Sequence, residues 1–376
     1  MFPKLRFKEF DGDWLKLKYK DVLTIKYGKD HKSLNDGDIP VYGTGGLMRH
    51  VNKYLYDGES ILIGRKGTID KPKYINEKFW TVDTLFYTEI EESIVPLFLY
   101  QHALEVNWLG LNEATGVPSL NTTSIYNIDI SIPSKEEQTK IASFLSNVDE
   151  KISQLTQKLE LLSQYKQGMM QKLFSQQIRF KADDGSEFGE WEEKIIGEIA
   201  NIKRGASPRP ITDTKWFDED SKVGWVRISD VSKSKKVLVE TEQYLSIAGI
   251  KKSRFIPKGN IIMSICATIG KPIYTGFDVC IHDGFVVFSE LKAWHEYTYY
   301  YLEYIEKNWY QYGQPGTQVN LNSDIVSNEI FPFPCLEEQT KIANFLSAID
   351  QKIEVVAQQI EQAKQWKKGL LQQMFI

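Results

Sequence analysis

Two stretches of the chain carry the same helical pattern of apolar positions. In the first, apolar residues recur at Leu145, Val148, Ile152, Leu155, Leu159 and Leu162, then at Met169 and Leu173, with Lys166 in the slot between. In the second they recur at Leu346, Ile349, Ile353, Val356, Ile360, Ala363, Leu370 and Met374, with Lys367 in the matching slot. Alternating steps of three and four make a heptad seam, and a seam sustained over about four heptads predicts a coiled coil. About 40 helical residues span about 60 Å at a rise of about 1.5 Å each. Pro133 and Pro334 precede the two stretches, and Glu136-Glu137 and Glu337-Glu338 place negative charge at the positive end of each helix dipole. Ser134 with Glu137 fits a capping box, which Cys335 denies to the second copy. Gly168 and Gly369 are weak points near the helix ends. A parallel, in-register pair would set Lys166 against Lys367 inside the seam. An antiparallel pair sends them toward opposite ends, where each can reach water. The pattern therefore predicts an intramolecular antiparallel pair.

The likeness of the two stretches goes beyond pattern. Residues 133–174 and 334–375 align without a gap at an offset of 201, with 21 identities in 42 positions, EEQTKIA and FLS among them. Outside the helices the repeat is weaker. Ile69, Lys71 and Pro72 match Ile269, Lys271 and Pro272 at an offset of 200, with Thr68 over Thr268 and Asp83 over Asp283. Leu120-Asn121 matches Leu321-Asn322, Trp14 matches Trp191, and TIKYG (24–28) matches NIKRG (201–205). The chain is thus two copies of one unit, with diverged globular parts and preserved helices. The expected boundaries are a first domain over 1–133, a helix over 134–178, a second domain over 179–333 and a helix over 334–376.

Each globular part mixes strand-like and helix-like runs. SILIG (60–64), residues 79–89, NIIMSI (260–265) and residues 279–290 read as strands, as do the runs at 66–69 and 267–272. Residues 94–106 and 297–312 read as helices. YGTGG (42–46), GRKGT (64–68), KRGASPRP (203–210) and GQPGTQ (313–318) read as loops. The fold class is mixed α/β. Two α+β domains with mainly antiparallel strands are each followed by a long helix, and the helices pair antiparallel.

Composition narrows the function. No window of about 20 apolar residues is present, so no transmembrane helix is expected. The polar start Met1–Arg6 argues against a signal peptide. Three scattered cysteines, Cys266, Cys280 and Cys335, fit a reducing compartment, and the expected location is cytoplasmic. There is no phosphate loop, dinucleotide fingerprint, HExxH or CxxC pair, and no amino-methyltransferase tetrapeptide. The five histidines have no metal-ligand spacing. No catalytic residue and no metal ligand is expected in this chain. Net charge is −4. Residues 1–133 hold 16 basic against 18 acidic side chains, and 179–333 hold 19 against 22. Contact with nucleic acid would need local basic clusters or a partner that supplies charge.

The helix heads, Ile132-Pro133-Ser134-Lys135-Glu136-Glu137-Gln138 and Phe333-Pro334-Cys335-Leu336-Glu337-Glu338-Gln339, resemble the conserved regions of type I restriction–modification specificity subunits. The runs at 66–69 and 267–272, the lead-ins at 116–121 and 316–322, and the openings at 10–18 and 188–194 are similar to that family too. The resemblance spans essentially the whole chain. It implies two target-recognition domains, each reading half of a bipartite duplex DNA target, and a helix pair that sets their spacing. It also implies docking of modification subunits, two in number, and of restriction subunits. S-adenosylmethionine, ATP and Mg would sit on those partners, with no cofactor on this chain. A coiled-coil adaptor with two protein-binding domains is the alternative from another class.

Candidate DNA contacts follow from basic clusters in loops. In the first domain they are Lys26, Lys29, Lys32, Thr44, Arg65, Lys66 and Thr68. In the second they are Lys203, Arg204, Ser207, Arg209, Lys233, Lys235, Thr268, Gln314, Thr317 and Gln318. Lysine and arginine would hold phosphates, while arginine and glutamine would read base edges.

Overall fold

The computed structural model describes residues 3–312 and 321–375. The chain divides into two compact units, residues 1–158 with 356–376, and residues 159–355. Each unit holds one globular domain and one half of each long helix.

The first unit contains β1 (Leu15–Lys18), β2 (Leu23–Tyr27), β3 (Ile39–Gly43), β4 (Gly46–Val51), β5 (Tyr56–Gly64), β6 (Lys73–Thr81) and β7 (Leu85–Ile90). Helix α1 (Pro96–Ala103), α2 (Thr122–Tyr126) and β8 (Asp129–Ile132) follow. Helix α3 (Lys135–Phe174) begins in this unit. Six strands form a sheet in the order β2-β7-β5-β6-β3-β4, antiparallel throughout except for β3 beside β6. The run 79–89, read as one strand, is the end of β6, a turn at 82–84 and β7. The run 66–69 lies in the β5–β6 loop, not in a strand.

The second unit contains β9 (Glu192–Ile195), α4 (Ile196–Ile199), β10 (Asn201–Arg204), β11 (Gly224–Val226), α5 (Ile228–Lys233), β12 (Val237–Leu238), β13 (Gln243–Tyr244) and α6 (Ile247–Ile250). Next come β14 (Arg254–Ile256), β15 (Ile261–Ser264), β16 (Pro272–Thr275), β17 (Val279–Ile281), β18 (Phe285–Ser289) and α7 (His295–Tyr304). Helix α8 (Ser323–Asn328), β19 (Ile330–Phe333) and α9 (Leu336–Met374) complete it, and α9 ends in the first unit. Its strands form two larger sheets, β10-β18-β15-β16-β12 and β13-β11-β17-β14. The run 279–290 is therefore split between sheets, because the turn at 282–284 carries the chain from β17 to β18. Residues 267–270 fall in the β15–β16 loop, and the helix read over 297–312 is α7 followed by a 3-10 turn.

The helix halves belong to the domain cores. In the first unit, Leu145 and Val148 of α3 share a core with Trp14, Phe98 and Trp108, and with Leu370, Leu371 and Met374 of α9. In the second, Leu173 and Phe174 of α3 share a core with Tyr297, Trp309, Leu346 and Ile349. The start of α3 thus meets the end of α9 in one unit, and the end of α3 meets the start of α9 in the other. That is antiparallel pairing. Leu155, Val356 and Ile360 are buried between these ends, and Ile152, Leu159 and Ile353 are half-buried. Both helices run through Gly168 and Gly369, where an added Cβ would meet nothing closer than 3.9 Å.

The two seam lysines are paired, not hydrated. Lys367 bonds Asp149 at 2.7 Å in the first unit. Lys166 bonds Asp350 at 2.7 Å and Glu303 at 2.8 Å in the second. Asp149 and Asp350 occupy the same repeat position, so one lysine–aspartate pair is formed twice by the antiparallel arrangement.

The identical letters at the helix heads also have a structural cause. Gln138 accepts the Val95 backbone N–H at 2.8 Å and donates to the Pro133 carbonyl at 3.0 Å. Gln339 does the same with Trp294 at 2.7 Å and Pro334 at 2.8 Å. Each glutamine ties the head of a long helix to the start of α1 or α7. The preceding glutamates are buried ion-pair partners, Glu137 of Arg6 and Glu338 of Arg179. Ser134 Oγ accepts the Glu137 N–H at 3.3 Å, but the Glu137 carboxylate is taken by Arg6 and does not close a capping box.

Candidate nucleic-acid interface

Each domain carries the same turn beside the repeated glycine. A Cβ on Gly28 would lie 2.0 Å from the Val82 carbonyl oxygen, and a Cβ on Gly205 would lie 2.0 Å from that of His282. Only glycine lets the chain pass so close. Backbone bonds then hold the next residue: Lys29 N–H to Thr81 at 2.8 Å, and Ala206 N–H to Ile281 at 3.0 Å. The repeated TIKYG and NIKRG thus mark where a loop leaves the sheet edge against the turn that bears Asp83 or Asp283.

A guanidinium sits on that turn in both domains, supplied from different strands. Arg65, just after β5, donates to the Asp83 carbonyl at 3.1 Å and lies over the Tyr27 ring at 5.5 Å. Arg204, at the end of β10, donates to the Asp283 carbonyl at 2.6 Å. In the repeat register Arg65 corresponds to Ile265 and Arg204 to Tyr27. The charge is thus kept in place while its source changes.

Around Arg65 the loop is tightly specified. Gly67 has φ +90°, a region that favours glycine. Its N–H bonds Pro118 at 2.9 Å, and the Leu120 N–H bonds Arg65 at 2.9 Å. Thr44 Oγ1 lies 3.5 Å from where a Gly67 Cβ would stand. Thr44, Arg65, Lys66 and Thr68 are therefore gathered at one place. Lys29 and Lys32 are exposed on the loop after β2. Lys26 is held by Glu89 at 3.1 Å across the β2–β7 ladder, and that bond raises its pKa.

In the second domain Asp283 is the hub. Ser207 Oγ donates to its carboxylate at 2.9 Å, and Arg209 stands 3.7 Å from it. The Ser207 bond holds this carboxyl below its ordinary pKa. Arg254 donates to the Arg204 carbonyl at 2.8 Å. Lys203 is exposed on β10. Lys233, Lys235 and Thr268 gather elsewhere, at the end of α5 and the β15–β16 loop, where Thr268 Oγ1 is 3.3 Å from Ser232 Oγ. Lys233 is tied to Glu242 at 2.7 Å, and Lys235 is exposed. Gln314, Thr317 and Gln318 lie outside the described residues.

Two groups at this surface escaped the sequence reading. His282 lies against Phe285 with ring centroids 4.9 Å apart, and Arg227 is exposed at the head of α5. Both line a cleft of about 630 Å³ with Trp225, Arg209 and Asp283. Burial holds the His282 imidazole below its ordinary pKa, against the pull of Asp283. A usable signal was the pair of departures at the shared turn, Val82 to His282 and Thr84 to Gly284. Among the described residues no cluster of three or more His, Cys, Asp or Glu could hold a metal ion. No helix among them is long and apolar enough to cross a membrane.

Comparison with known proteins agrees with this duplicated layout. A family model described as type I restriction modification DNA specificity domain matches residues 11–164 and again 189–365. A putative type I restriction enzyme MjaX specificity subunit of Methanocaldococcus jannaschii is 28% identical, over 98% of this chain and 94% of its own length. The type I restriction enzyme MjaVIII specificity subunit of the same organism is 26% identical, over 84% of this chain and 76% of its own. In fold, the chain resembles the S subunit of a type I restriction–modification system from M. genitalium. The TM-score is 0.65 at 16% identity, covering 100% of this chain and 99% of the other. A chain from a structure on complex assembly and conformational transition of the type I R-M system gives a TM-score of 0.60 at 15% identity, covering 96% and 97%.

Proposed function

Because this chain belongs to the family of type I restriction–modification DNA specificity domains, we propose that its two globular domains, residues 1–133 and 179–333, each read one half of a split duplex target. The helices over 134–178 and 334–376 set the interval between the halves and give modification subunits, two in number, their docking surface. Methylation and cleavage, with S-adenosylmethionine, ATP and Mg, belong to modification and restriction subunits. The assembly works in the cytoplasm. For both domains to face one side of the duplex, half-site centres lie about 34–36 Å apart, one turn of B-DNA.

The observation that carries this reading is the guanidinium held on the Asp83 turn in one domain and on the Asp283 turn in the other. Arg65, Lys66, Thr68 and Thr44 form the contact surface of the first domain, with Lys26, Lys29 and Lys32 toward the phosphates. Arg204, Ser207, Arg209 and Lys203 form that of the second, with Lys233, Lys235 and Thr268 as a flanking set. A net charge of −4 leaves part of the phosphate contact to the partners.

The complex with modification subunits is expected to bind its duplex with affinity that falls linearly in log salt. Arg65→Ala is expected to cost about 1–3 kcal/mol and to relax one position of one half-site. Unchanged affinity and site preference would remove Arg65 from the interface. Binding to DNA with no salt dependence at all would favour a protein-binding adaptor instead.

A further inference from the structure

Arg209, Arg227 and His282 bring hydrogen-bond donors to the cleft of the second domain. Gly284 is what lets the His282 ring lie there, since a Cβ at that position would stand 2.3 Å from the ring and 2.5 Å from Cys266 Sγ. The Gly284 N–H then donates to His282 Nδ1 at 2.8 Å. On a neutral imidazole the remaining proton is therefore on Nε2, so the ring can only donate to a ligand. Arg209 and Arg227 are both exposed. Arg209 makes only a 3.7 Å approach to Asp283. Among the described residues no carboxylate forms an ion pair with Arg227. The Asp283 carboxylate takes the Ser207 hydroxyl on one oxygen and faces Arg209 at 3.7 Å on the other. Trp225, buried beside His282 at 6.0 Å between rings, gives the cleft an apolar wall.

Resting on the reading of this domain as a half-site reader, we infer that the cleft selects guanine, with Arg227, Arg209 and His282 as the specificity-determining residues. In the major groove guanine shows two acceptors, N7 and O6. Adenine and cytosine each present an amino donor, which would oppose these groups, and thymine offers a single acceptor beside a methyl group. The first domain has Val82 and Thr84 at the corresponding positions, so the two half-sites are read by different chemistry.

The test is methylome sequencing of cells that express the full chain with its modification partner, in wild-type form and as Arg227→Ala, His282→Val and His282→Gln. At least one G·C pair is expected in one half of the motif. Arg227→Ala and His282→Val are each expected to cut discrimination at such a pair roughly 10- to 100-fold, leaving the other half unchanged. His282→Gln, which keeps a donor, is expected to retain more of it. A half-site without G·C, relaxation confined to A·T positions, or an even loss of methylation with unchanged preference would each overturn the inference. Arg227 is exposed, so its variant stays informative if His282→Val does not fold, and an unchanged motif for it overturns the inference. An undivided motif would instead defeat the two-reader proposal.

Discussion

Lys166→Ala is expected to lower the unfolding free energy by about 2–3 kcal/mol at pH 8, the cost of leaving two half-buried carboxylates without their cation. Lys166 bonds both Glu303 and Asp350, and it is itself only 11% exposed. The loss has a direction in pH. Burial raises the Glu303 pKa above its ordinary value, and Lys166 opposes that rise. A carboxyl whose folded pKa is raised favours folding below its unfolded pKa and loses that contribution as pH rises through the folded value. Without Lys166 the rise is larger. The deficit of the variant should therefore be small near pH 4.5 and grow toward pH 8. Denaturant unfolding of the full chain across this range measures it, and a deficit independent of pH would show that Lys166 acts through packing alone.

Arg179→Ala is expected to cost about 3 kcal/mol or more, because Glu338 has no exposed side-chain surface and, among the described residues, keeps only the Trp191 indole as a donor at 2.8 Å. The reverse substitution differs. Arg179 is 23% exposed and can turn its charge to water, so Glu338→Gln is expected to cost clearly less. Thermal and denaturant unfolding of both variants checks the asymmetry. Equal losses would mean that packing, not the stranded charge, sets the cost.

The antiparallel helix pair was legible because its seam is strict, and because two lysines at matching seam positions disfavour a parallel register. The reason for their tolerance was not legible. Solvation was the expected remedy, yet Asp149 and Asp350 supply it from the facing helix. In sequence each aspartate stands near its own helix head, and its role appears only when the second copy is turned end for end. The strands were read too long at residues 79–89 and 279–290, since the turns at 82–84 and 282–284 interrupt continuous apolar patterns. At the candidate interface, Arg65 and Arg204 were visible as basic loop residues. Their common place on an aspartate turn was not, since they occupy different repeat positions. The cleft with Trp225, Arg227 and His282 stayed hidden because it depends on β11 pairing in parallel with β17, more than 50 residues away, and no local pattern announces such a pairing.

Methylome sequencing of cells carrying the chain and its modification partner tests the central claim most directly. The account predicts an adenine-methylated motif in two parts, separated by a gap of constant length. A single uninterrupted motif, or halves whose separation varies from site to site, would contradict it.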